Sequence, residues 1–253
     1  MTVEFRKWAC LGLATALAGA GLSGCAGDAG EGGEADTGSP TAQSGEAGEG
    51  EGVESGGDVG ALPAPQRVAF MSGHVAAGLA LYRSGRSEEA APHLMHPVSE
   101  THEAERAGLA ELGFDAAPFE AVSKALEAGK PAEDVEPQIE AAQANLVTVR
   151  NAAGGNTAEI IRFLMDTAVE EYAIAVPDDT VTDAGEYHDA WGFVTVARQM
   201  ADDLDGPKVD AVKANLDEMI ALWPGDAPIT PETPAPKEQI STLASRVILD
   251  LPQ

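Results

Sequence analysis

The chain has 253 residues, 44% of them apolar and only 5% aromatic, which suits one or two globular domains and argues against a β-sandwich or barrel, whose strands draw on aromatic and β-branched residues. Lys and Arg total 15 against 42 Asp and Glu, a formal net charge of −27. That charge excludes nucleic acid and anionic lipid headgroups as partners, because either is repelled over most of the surface.

The N-terminus reads MTVEFRKWACLGLATALAGAGLSGC. Arg6 and Lys7 supply a positive start, and Trp8 to Gly21 form an apolar stretch too short to span a bilayer but of signal-peptide length. Leu22-Ser23-Gly24-Cys25 resembles the lipobox of bacterial lipoproteins. The resemblance implies a signal peptide over 1–24, cleavage before Cys25 and a lipid anchor on Cys25. Ala26, rather than Asp, follows that cysteine, which by the same resemblance implies an outer membrane, facing the periplasm, in a Gram-negative host, or the outer cell face in a Gram-positive one. Cys10 and Cys25 are the only cysteines, so the exported body has no disulfide framework, zinc ribbon or thiol nucleophile.

Residues 26–60 are low in complexity, with 12 Gly and 9 acidic residues among 35 and neither Lys nor Arg. Such a stretch buries almost nothing to offset chain entropy, so together with Cys25 it reads as a disordered acidic tether over 25–60. From Ala61 to Gln253 the pattern turns helical. Val68, Met71, Val75, Leu79 and Tyr82 give one helix over Arg67 to Ser84. Ser87 is expected to cap a second, to about His96, with Pro92 and Pro97 threatening its continuity. A further stretch runs to about Leu112, and helices follow over Ala116 to Ala128 and Ala132 to Ala152. Gly154-Gly155 is a stop and Asn156 a new cap, for a helix over Thr157 to Val176. Asp183 caps the next, with Tyr187, Trp191, Val194 and Ala197 as its buried stripe; Pro207 opens another, ending near Trp223; Lys237 to Leu251 is the last. The expected class is all-α: about eight helices in antiparallel packing, as one irregular bundle or as two four-helix units divided near residue 154.

All five histidines lie in this body, and His74, His93, His96 and His102 fall within 29 residues. On a continuous helix, His93, His96, Glu100 and Glu103 share one stripe, within an arc of about 80°. Two imidazoles and a carboxylate on one face suit a transition metal ion such as Fe, Cu or Zn, and Met95 adds a soft ligand if it faces inward. His74 reaches the group from the preceding helix, and His102 replaces a ligand if Pro97 re-aims the chain. A second constellation pairs Glu170-Glu171-Tyr172 with Glu186-Tyr187-His188 across a short loop. Catalytic signatures are missing: the chain has no His-Glu-x-x-His, no Gly-x-Ser-x-Gly elbow and no Gly-rich phosphate loop before a Lys.

His102-Glu103-Ala104-Glu105 reproduces the His-x-x-Glu half of a Gly-x-His-x-x-Glu motif, with Glu100 where the Gly would stand. On this motif and its helical, acidic, exported character, the body resembles the imelysin and EfeO-type class of periplasmic proteins. The resemblance implies paired four-helix bundles and a role in acquiring iron or another metal. The sequence therefore points to a lipid-anchored periplasmic metal binder with His74, His93, His96, Glu100 and His102 as candidate ligands. The alternative is a metal-free helical scaffold that docks a cell-envelope protein partner; an exposed apolar groove would favour it.

Overall fold

The computed structural model describes residues 59–99 and 102–252, all within one compact unit spanning Glu46–Gln253. The signal segment, Cys25, residues 26–58 of the tether and Glu100 lie outside the described residues. Among the described residues the structure is helical throughout, with no strand. Its helices are α1 (Ala64–Arg83), α2 (Ser87–Met95), the single turn α3 (Glu103–Arg106), α4 (Ala117–Glu127), α5 (Glu136–Ala153), α6 (Thr157–Ala175), α7 (Ala184–Met200), α8 (Val209–Ile220) and α9 (Lys237–Asp250). None of them is long and apolar enough to cross a membrane.

Local chemistry sets several of these boundaries. The Asn156 side chain accepts hydrogen bonds from the amides of Ala158 and Glu159, and Asp183 from those of Gly185 and Glu186, so both act as the N-caps their positions predict. Ser87 does not: it is the first residue of α2, Arg86 stands at the cap, and no side chain caps the end. Two further expectations shift. The helix expected from Pro207 begins at Val209 and ends at Ile220, with Trp223 beyond it. Helix α2 carries Pro92 but stops at Met95, before Pro97, whose ring would collide with the carbonyl four residues back. The continuous stripe towards Glu100 is therefore not formed, and between Pro97 and Leu112 the described chain makes only α3 and a 3-10 turn at Leu109–Leu112.

Two apolar cores share α1 as a common wall. Val68, Met71, Val75, Leu79, Leu81 and Tyr82 of α1 pack with side chains of α2, α4 and α5. Ala69, Phe70 and Ala77 of α1 pack with α6, α7, α8 and α9, including Tyr172, Tyr187, Trp191, Val194, Ala197 and Trp223. Helix α1 is accordingly buried on nearly every side from Val68 to Val75, the condition of a central helix rather than a surface one.

Close approach to this central helix depends on missing side chains. A Cβ on Gly192 of α7 would lie 2.1 Å from the Gly73 carbonyl oxygen of α1. A Cβ on Gly78 of α1 would lie 2.9 Å from His93 Cβ of α2. Helices α7 and α2 are thus drawn against α1 beside His74 and His93, where the candidate ligands meet.

Candidate metal centre

His74 sits one residue after Gly73 on α1, and Asp189 one turn before Gly192 on α7. At this close crossing His74 Nδ1 lies 2.8 Å from Asp189 Oδ1. His93 projects inward from α2, and its Nδ1 lies 2.9 Å from the same oxygen. The two imidazoles and the carboxylate are buried, and their ligand atoms lie within 4.8 Å of one another. We refer to these residues as the inner triad.

A second group adjoins it. Glu105 Oε1 lies 3.0 Å from His102 Nδ1 and 3.5 Å from His96 Nε2, and these three ligand atoms are likewise within 4.8 Å of one another. The His96 ring stacks against His74, at 4.0 Å between centroids, and meets His102 at a tilt of 45°, at 3.7 Å. Glu105 belongs to the single turn α3, which has too few residues to hold itself. Arg67 of α1 holds it, donating from Nη1 to the carbonyl oxygens of Glu105 and Ala107, each at 2.9 Å. Arg106 further ties the turn to the Ser99 carbonyl.

His188, beside Asp189 on α7, completes the five-histidine cluster. Its Nδ1 is 3.2 Å from His93 Nε2, while its own Nε2 is 3.8 Å from the nearest Glu89 carboxylate oxygen and makes no hydrogen bond. Burial pushes the His188 imidazole down to about 4, helped by His93 and opposed by Asp189 and Glu89. At neutral pH it is uncharged, so its Nδ1 can accept a hydrogen bond from the His93 Nε2–H. In the metal-free protein His93 Nδ1 faces the Asp189 carboxylate; with a metal at the triad, the outer hydrogen bond to His188 would orient that Nδ1 as a ligand.

The carboxylates divide by charge. Burial alone would raise the Asp189 carboxyl, but His74 and His93 override it and hold the group well below the usual carboxylate range. Glu186, one turn earlier, is pushed up to about 7, chiefly by burial; its hydrogen bond with Glu171 and the nearby His74 oppose the rise, while Asp189 and Asp183 add to it. The Glu171–Glu186 pair thus carries a proton near neutrality while Asp189 remains an anion, available as a hard ligand.

Of the sequence candidates, the structure brings together His74, His93, His96 and His102, divided between two triads. Met95 does not face inward: it is 42% exposed, on the opposite side of α2 from the two histidines. Of the second constellation, Glu171, Glu186 and His188 reach the same buried region. Sequence reasoning missed Asp189, Glu105 as a ligand, and Arg67. The signal for Asp189 is a charged residue three and four positions before Gly192 and Phe193, on the face that must approach α1.

The set of N and O donors without a thiol suits a first-row divalent ion in the borderline class. The C-terminal segment that supplies Asp189 and His188 is also recognisable by sequence. Residues 154–252 match the iron permease-associated four-helix bundle domain. This segment comprises α6 to α9, and its family is helical and associated with metal transport. No curated protein and no solved structure matches the chain. The matched segment does not hold the inner triad alone, since His74 and His93 precede it.

Proposed function

We propose that this chain is an exported, lipid-anchored protein that captures a transition metal ion, iron foremost, for uptake or delivery in the cell envelope. The observation that carries the reading is the inner triad, in which Asp189 of the iron permease-associated segment meets His74 and His93 in a buried setting. Three protein ligands leave coordination positions open, unlike the closed four-ligand sites that serve structure. An open position lets a cargo ion arrive and leave. The formal net charge of −27 draws cations towards the protein and falls away in effect as salt rises. The His102-x-x-Glu105 pattern, with its resemblance to the imelysin class, supports the same reading, as does the lipobox ending at Cys25 for the anchor.

The test is anaerobic titration of the metal-free protein with Fe(II), followed by elemental analysis after desalting. At least one equivalent of iron is expected in the wild type, and an inner-triad affinity at least about a hundredfold lower in the His93→Ala/Asp189→Asn variant, which removes two of its ligands. Binding should weaken below about pH 6 as the imidazoles compete for protons. A wild-type protein that takes up no iron, zinc or copper at neutral pH would overturn the reading and leave the scaffold alternative.

A further inference from the structure

We infer that the protein has a second, separate metal site, formed by His96, His102 and Glu105, that is filled alongside the inner triad. The inference rests on the metal-binding reading above but concerns a different ligand set. Every residue of this outer triad comes from the α2 end and the α3 turn, upstream of the segment that matches the iron permease-associated family.

The arrangement is that of a built site. Two imidazole nitrogens and a carboxylate oxygen converge on one small volume, from three side chains that no regular helix places together. Glu105 is 3% exposed although it stands in a four-residue turn. An acidic side chain in so short a turn ordinarily points to solvent. Here the grip of Arg67 on the backbone carbonyls of Glu105 and Ala107 fixes the turn and aims the carboxylate inward, at His102 and His96. The guanidinium engages the backbone and leaves the carboxylate charge to the imidazoles.

The two triads have separate ligands but adjoining walls, because His96 stacks directly on His74. They differ in access. The outer side chains are 13% (His102), 5% (Glu105) and 1% (His96) exposed, the inner ones 8% (His74), 5% (Asp189) and 2% (His93), so His102 is the one ligand that leaves the fully buried class. His102 is therefore the ligand an arriving ion meets first. A borderline divalent ion of the Fe(II), Co(II) or Zn(II) kind is the matching ligand, and the outer site would fill and empty faster than the inner one.

Co(II) serves as the probe, because its visible absorption reports imidazole coordination and its stoichiometry is read from the titration break. The whole chain is titrated as wild type, as His102→Ala/Glu105→Gln and as His74→Ala/Asp189→Asn, each checked for helix content by circular dichroism. Two equivalents are expected for the wild type and one for each variant, with slower loading of the inner site when the outer is removed. A single wild-type equivalent that survives the outer substitutions and is lost with the inner ones would overturn the second site while leaving the proposed function intact. A single equivalent lost only with the outer substitutions would instead remove the inner site. One equivalent lost in both variants would show one shared site and overturn the inference, and no binding at all would sink both readings. As a further check, Arg67→Met should loosen the outer site about tenfold and leave the inner affinity unchanged.

Discussion

The crossing of α1 and α7 makes Gly192→Ala a sharp test of how packing creates the inner triad. In an ordinary helix interior this substitution stabilises, by up to ~1 kcal/mol, because alanine loses less backbone entropy on folding. Here the new methyl would lie 2.1 Å from the Gly73 carbonyl oxygen and 2.9 Å from the Gly73 carbonyl carbon. A backbone obstacle offers no rotamer that escapes, so the helices must separate by about 1 Å. Overpacking of that kind costs typically 1–3 kcal/mol, and the absence of a side-chain escape puts the net effect near ~2–3 kcal/mol destabilising. For a body of this size that lowers the melting temperature by about 4–12 °C. The same displacement falls on the 2.8 Å approach of His74 Nδ1 to Asp189 Oδ1, one turn away. Metal affinity at the inner triad should fall at least about tenfold. Thermal melts in chelator and a parallel metal titration read the two effects. A Gly192→Ala protein that melts at or above the wild-type temperature and binds metal normally would refute the claim that this glycine contact sets the site.

Two other predictions follow from buried groups and caps. Glu186 ionises near 7 in the folded protein against 4.5 in a free chain, so its ionisation removes stability as pH rises from about 4.5 to 7. The shift corresponds to ~3 kcal/mol. The metal-free Glu186→Gln variant should therefore gain about that much on the wild type across the window, as measured by urea unfolding at successive pH values; a constant difference would refute the buried-acid assignment. His188 acts in the opposite sense, its imidazole depressed from 6.5 to about 4, so the stability it contributes is complete above pH 6.5 and lost as pH falls towards 4. Its Gln variant should be relatively more stable at pH 4 than at pH 7. Asn156→Ala removes the acceptor for the Ala158 and Glu159 amides and should cost ~1 kcal/mol in the same assay, without changing metal affinity.

Much of the fold was legible because periodicity and punctuation agree. The stripe from Val68 to Tyr82, the Gly154-Gly155 stop with the Asn156 cap, and the Tyr187 to Ala197 face all lie where the sequence puts them. What escaped was the path after Met95. Pro97 warns of a break but does not say where the chain goes next, and the turn that follows is held by Arg67, remote in sequence and bonded to carbonyls that carry no side-chain signature. The histidines stood out because there are only five of them. Asp189 did not, because one carboxylate among 42 acidic residues is inconspicuous. Only the fold shows that it is buried and faces two imidazoles. Glu105 was in view as half of a motif, yet the helix assumed for that stretch favoured Glu100.

His74 and His93 lie before Gly154 and Asp189 after it, in a body whose sequence beyond Cys25 holds no thiol to stitch the parts covalently. An ion at the inner triad would therefore also be a rivet, adding to stability in proportion to the logarithm of its concentration over its dissociation constant. Without it the α1–α7 contact is held by packing alone, and local opening of any such contact exposes backbone to proteases. If the proposed function holds, the lifetime of the protein would then follow its cargo: loaded copies persist, and copies starved of metal are cleared.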